Sequence, residues 1–210
     1  MRFPVPLWLS IGTLVVVALL GYSGMHAYDT STWMMETAPI LIVYPILWWT
    51  YRAFPLSSML YILILFHSII LIVGGMYTYA RVPLGFELAH WLGMERNPYD
   101  KIGHFVQGFV PALAARELLI RNGYVNGQKM LNFIVVSIVL AISATYELIE
   151  WGAALALGQG ADEFLGTQGY VWDTQSDMFY ALVGAVTALG LFSRLHDRMI
   201  KRMETDENSR

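Results

Sequence analysis

Long apolar stretches separated by short polar turns run the length of the chain. Six of them approach the ~20 residues that a helix needs to cross a bilayer. They cover 5–22, 37–54, 58–79, 102–120, 131–153 and 175–193. The second contains Pro39 and Pro45, breaks that neighbouring helices tolerate inside a membrane. Its Trp48, Trp49 and Tyr51 suit an interfacial belt. Residues 83–94 place Leu84, Leu88, Trp91 and Leu92 on one helical face, which predicts a short amphipathic helix lying in the interface. Residues 158–172 combine Gly158, Gly160, Gly166 and Gly169 with Phe164, Tyr170 and Trp172, the pattern of a flexible cap or a re-entrant loop. From Arg194 a basic tail extends the last helix. It ends in the polar run from Glu204 to Arg210, expected to be disordered.

The first stretch follows Met1-Arg2-Phe3-Pro4 and superficially has the layout of a signal peptide. Gly21, Ser23 and Gly24 near its end do not make an Ala-x-Ala site, and more apolar segments follow, so it reads as a retained first span. There is no internal repeat and no second domain. The expected fold is all-α: a polytopic membrane protein, a six-transmembrane-helix bundle forming one integral membrane domain over 1–210.

Composition agrees. Only 14% of the 210 residues are charged and 56% are hydrophobic, with mean hydropathy +0.50. A soluble domain carries about 25% charge, so too few charges are present to cover a water-facing surface. Thirteen basic residues against sixteen acidic ones, with no basic stripe, argue against a nucleic-acid partner. The absence of cysteine excludes disulfides and thiolate metal sites.

The basic residues predict orientation. With the N-terminus inside, Arg2, Arg52, Arg116, Arg121, Lys129, Arg194, Arg198, Lys201, Arg202 and Arg210 fall on the cytoplasmic side, and only Arg81, Arg96 and Lys101 outside. That asymmetry fits the positive-inside rule. Six spans return the C-terminus to the cytoplasm, so both termini and the 194–210 tail are expected there.

Ionisable groups inside spans are costly and default to a functional hypothesis. Here they gather. The fourth span opens with Asp100-Lys101-Ile102-Gly103-His104-Phe105-Val106-Gln107, the fifth closes with Tyr146-Glu147-Leu148-Ile149-Glu150-Trp151, and the sixth opens with Asp173-Thr174-Gln175-Ser176-Asp177. In the orientation above, all three lie at the outer leaflet. At 3.6 residues per turn, Asp100 and His104 share a face, as do Asp173 and Asp177. Three helix ends can thus point five carboxylates and one imidazole at one spot. Like charges in a low-dielectric pocket cannot all stay ionised. Bound cations resolve the conflict, and so does a network of protons and hydrogen bonds. The donor set of Asp100, His104, Glu147, Glu150, Asp173 and Asp177 suits a hard or borderline divalent metal. The opposing reading makes Asp100 and Asp173 helix caps, pairs Lys101 with Asp173 or Glu150, and lets His104 donate to Glu147.

Other polar positions read as structural. His67, midway in the third span, is expected to be a neutral core histidine away from the cluster. Arg116 and Glu117 read as ordinary for a span's inner end, with the arginine snorkelling. His26 and His90 read as solvated. Gly21-Tyr22-Ser23-Gly24 resembles a protease nucleophile setting by chance. Five scattered histidines are too few for histidine-cluster desaturases, and no nucleotide loop or Ser-x-x-Lys motif is present. The inner halves of the spans offer little polar lining, which weakens a transport reading.

Asp100-Lys101-x-x-His104-Phe105, Glu147-x-x-Glu150-Trp151 and Trp172-Asp173-Thr174-x-Ser176-Asp177 resemble, over essentially the whole chain, the YjdF-type bacterial inner-membrane proteins, a family with no assigned function. A more distant similarity is to VanZ-like proteins, carried by Asp100, Lys101, His104, Phe105, Glu147, Asp177 and the small pair Gly184-Ala185. The Gln and Arg of the VanZ-like pattern are missing here. The resemblance implies an outward-facing polar site near lipid-linked envelope precursors. The expectation is therefore an inner-membrane protein whose carboxylate/His site binds a divalent metal cation and binds or acts on a lipid or cell-envelope headgroup. Glu147 or His104 would serve as the catalytic base, and Lys101 and Gln107 would hold the substrate. The alternatives are a non-catalytic component whose cluster is a structural or pH-responsive network, and a proton-coupled transporter.

Overall fold

The computed structural model of the protein describes residues 5–157 and 171–208. All regular structure among these residues is helical. In chain order the helices are α1 (Leu7–Met25), α2 (Thr30–Thr50), α3 (Ser58–Tyr77), α4 (Pro83–Leu92), α5 (Tyr99–Arg121), α6 (Gln128–Leu157) and α7 (Asp173–Thr187). A π-helical turn, Ala188–Phe192, carries α7 into α8 (Ser193–Asn208).

Four helical stretches are long and apolar enough to cross a membrane: Leu7–Met25, Ser58–Tyr77, Gln128–Ala156 and Asp173–Thr205. The two remaining long helices, α2 with 21 residues and α5 with 23, have the length of a span, about 30–35 Å. They are more polar, because they carry much of the buried chemistry described below. Large apolar side chains face outward, Leu14 and Phe133 each 68% exposed and Leu191 74%. A hydrocarbon solvent permits such a surface, and water does not.

Helix ends depart from the sequence expectation where capping decides. The second helix begins at Thr30 rather than 37, because the Asp29 side chain accepts a hydrogen bond from the Thr32 N–H at 2.6 Å. A cap of this kind satisfies one of the helix's orphan donors. The short helix expected at 83–94 is α4. It is closed by Gly93 at φ 64°, and its Leu84, Trp91 and Leu92 are exposed. The C-terminal helix runs to Asn208, which corrects the expectation of disorder from Glu204. The glycine-rich stretch 158–170, read as a cap or re-entrant loop, lies outside the described residues.

The core sits between α3, α5, α6 and α7, where Leu60, Leu113, Val135, Ala181 and Ala185 are buried together. The closest approach joins α5 and α7. A Cβ added to Gly108 would collide with the Ala181 carbonyl, and one added to Gly184 with the Phe105 carbonyl. The two backbones therefore touch, which only glycine permits.

Candidate functional site

One turn toward the Tyr99 end from the Gly108–Ala181 contact stand His104 on α5 and Asp177 on α7, each four residues before its contact partner. The close approach of the helices thus brings their side chains face to face. His104 Nε2 lies 3.5 Å from Asp100 Oδ1 and 3.7 Å from Asp177 Oδ2. One ligand atom from each of Asp100, His104 and Asp177 falls within 4.8 Å of the other two. The opposite ring nitrogen, Nδ1, is 2.8 Å from Gln107 Oε1. A carbonyl oxygen only accepts, so Nδ1 carries the proton and donates. Nε2 is left to meet either a second proton or a cation. His104 and Asp177 are buried. Asp177 Oδ1 and Glu147 Oε1 are buried without a hydrogen-bond partner.

The same polar recess is lined by Thr32, Glu36, Tyr79, Glu150 and Asp173. Glu147 faces it from α6, with His104, Asp100 and Asp173 in its electrostatic surroundings and Thr174 within hydrogen-bonding reach. All six residues expected as ligands therefore belong to one neighbourhood, although only Asp100, His104 and Asp177 come into ligand-like mutual contact. His104 pairs with Asp100 and Asp177 rather than donating to Glu147.

Glu36 is the residue that sequence reasoning missed. With α2 expected to start at 37, it fell in a loop. Its carboxylate accepts a hydrogen bond from the Tyr146 hydroxyl at 2.8 Å, and the same hydroxyl reaches the Met35 carbonyl at 3.3 Å. Tyr79, between α3 and α4, faces the same carboxylate. Burial, followed by the charge of Glu36, raises the Tyr79 phenol well above its ordinary value. It stays protonated at neutral pH and available as a donor. The signal that would have found Glu36 is Asp29-Thr30-Ser31-Thr32, a run of N-cap residues seven positions earlier.

Of the two residues expected to hold substrate, Gln107 orients His104 as described. The Lys101 ammonium lies over the Tyr180 ring, 5.6 Å from its centre, and does not line the recess. Below the cluster a cavity of about 320 Å³ continues between α2, α3, α5 and α6. His67 lines it together with Gln107, Glu36 and His104. This histidine does not line the polar recess itself. Its Nε2 is buried with no partner, and Ser68 bonds the Ile64 carbonyl instead. Ser23 accepts from Trp33 Nε1 at 2.9 Å and donates to the Leu20 carbonyl. That geometry makes it a helix-packing serine.

At the Arg121 end of α5 stands a second ionic group. Arg116 is 1% exposed, and Glu117 and His196 are 0%, so the arginine does not snorkel. The Ser57 N–H and hydroxyl donate to the two Glu117 oxygens at 2.7 Å each. His196 Nε2 meets Glu117 Oε2 at 2.9 Å, and Arg121 donates to Glu117 Oε1 at 3.3 Å. Arg116 donates to Asp197 at 2.6 Å and to His196 Nδ1 at 3.3 Å. An arginine cannot accept, so in this contact Nδ1 takes the acceptor role and Nε2 donates to Glu117. This group corrects the reading of a span interior with almost no polar lining.

Two comparisons fit this architecture. Residues 8–198 match the family described as "Predicted membrane protein (DUF2238)". The chain is also 58% identical over 197 residues to "Inner membrane protein YjdF" of Escherichia coli (strain K12), covering 94% of each chain. The chain belongs to this family of multi-pass inner-membrane proteins. No solved structure matches it.

Proposed function

We propose that the cluster around His104 is a divalent-cation site through which the protein holds, or acts on, the anionic headgroup of a membrane lipid or a lipid-linked envelope precursor. The observation that carries this reading is the Asp100, His104, Asp177 triad, with His104 Nε2 at its centre open to a cation or a second proton. The separations of 3.5 and 3.7 Å are longer than the usual N–H···O range. Two ligands each about 2.1 Å from one ion at a tetrahedral angle stand about 3.4 Å apart. The unpartnered oxygens of Asp177 and Glu147 offer further donors. The Nδ1–H···Gln107 bond is the outer contact that commonly fixes the tautomer of a metal-ligating histidine.

In this reading α2 and α5 cross the bilayer with the four apolar helices. The six spans put both termini and the Arg121 end of α5 in the cytoplasm, and the cluster at the periplasmic leaflet. A bound cation polarises a headgroup phosphate or ester oxygen. Glu147 and His104 are the groups placed to move a proton there. Lys101, beside the recess rather than in it, supplies positive potential near the head. The VanZ-like pattern of Asp100, Lys101 and His104 adds the envelope direction.

Elemental analysis of detergent-purified protein tests the cation. We expect stoichiometric metal that is lost in the Glu147→Ala/Asp177→Ala double variant. Folded wild-type protein free of metal, and unresponsive to added Mg²⁺, Mn²⁺ or Zn²⁺, sinks the reading. A second reading is favoured by the Arg116–Glu117–His196 group, a buried ionic network made from this chain's own side chains. It puts a proton on Nε2 and makes the cluster a helix lock. It then predicts that Asp177→Asn lowers thermal stability with or without metal.

A further inference from the structure

The cavity beneath the cluster is not used by the cation reading. At about 320 Å³ it falls in the range of small-molecule sites. Its cap is polar, formed by Glu36, Asp100, His104 and Glu150, while Val43, Ile64, Leu71, Val110, Ala114 and Ile142 make apolar walls. From His104 to Ala114, α5 descends about 15 Å, half of a ~30 Å hydrocarbon core. The cavity is one leaflet deep.

It also has a side. α2 packs on α3, and α6 packs on α5 and α7, but α2 and α6 do not pack along one another. The Tyr146 hydroxyl ties them near the cluster through Glu36 and Met35. Beyond that tie Val43 and Ile142 line the cavity and are 38% and 41% exposed. The seam faces the position of lipid. Inside, the His67 Nε2 is buried without a protein partner.

We propose that this cavity receives the hydrocarbon chain of a single-chain membrane amphiphile. The chain slides in sideways between α2 and α6 from the leaflet beside the cluster and leaves its head at Asp100, His104 and Asp177. The placement of the head rests on the cation reading, and the placement of the chain does not.

The test uses the full chain in nanodiscs and two probes with a mid-chain diazirine, a C16 lysophosphatidylglycerol and hexadecanol. Photolysis is expected to label residues 64–71 of α3 and 110–114 of α5, saturably with excess unlabelled lysolipid. Ile142→Trp at the seam and Ala114→Phe inside should cut this saturable labelling about tenfold. Unsaturable labelling of Leu14 and Phe133 on the outer surface should not change. The Ile142 variant alters a half-exposed position, so it keeps the test usable if Ala114→Phe fails to fold. Labelling confined to the outer surface, or insensitive to excess lysolipid, overturns the proposal. EDTA separates the two readings. If it weakens labelling by the phosphate-headed probe alone, both stand. Saturable cavity labelling by both probes with no effect of EDTA keeps the chain site and removes the cation from it.

Discussion

Two ionic clusters stand at opposite ends of α5, and each sets carboxylates around a buried histidine. At the Arg121 end, Glu117 receives hydrogen bonds from Ser57, His196 and Arg121. Arg116 and Arg121 balance Glu117 and Asp197. At the Tyr99 end, six carboxylates from Glu36, Asp100, Glu147, Glu150, Asp173 and Asp177 surround one imidazole, and two of their oxygens are buried without partners. The first cluster is near charge balance, although Arg116 Nε is buried there without a hydrogen-bond partner. The second carries surplus acid that only protons or a cation can neutralise. Both set carboxylates around a buried histidine, so the difference lies in the arginines: two balance the acids at the Arg121 end, and none lines the recess at the Tyr99 end.

That contrast can be broken most severely from the balanced side. Glu117→Ala removes the shared acceptor of Ser57, His196 and Arg121 at a fully buried position and should cost about 3–5 kcal/mol, read as the largest fall in the detergent melting temperature of any single substitution in either cluster. Gly108→Val drives a side chain into the Ala181 carbonyl and forces α5 from α7. A loss of about 1–3 kcal/mol or more is expected, together with loss of cation binding by calorimetry. Retained binding would show that the triad does not depend on this helix contact. Saturating cation at 100 times its Kd should stabilise the wild type by about 2.7 kcal/mol. Asp177→Asn should lose that response yet melt no lower than the wild type in EDTA, because it removes surplus charge. The smallest effect belongs to Tyr146→Phe, about 1 kcal/mol for one hydrogen bond. It is checked by the same melts and by faster hydrogen exchange at the cluster end of α2.

How far each cluster was legible in the sequence follows from the same contrast. Asp100, His104, Glu147, Glu150, Asp173 and Asp177 stand out because helix spacing puts pairs of them on one face at span ends. The helical course of the chain was legible from its apolar runs. Glu36 was hidden by one helix boundary, since the hydropathy of α2 rises only after its first two turns. His196 was hidden because a basic tail reads as solvated headgroup contact. Nothing local to residues 194–202 announces that its imidazole is buried against Glu117, 79 positions away. The cavity was illegible for another reason. Which side of His67 faces a void depends on how far apart α2 and α6 stand, and no periodicity records that distance.

If the cluster holds a cation as proposed, the touching backbones of α5 and α7 have a consequence for ion choice. With glycine at Gly108 and Gly184, the gap between His104 and Asp177 is set by main chain against main chain, with no side chain between to yield. Such a gauge has a fixed bore. It favours small ions that accept short, few-membered coordination, and disfavours Ca²⁺, whose six to eight longer bonds need a pliable cage.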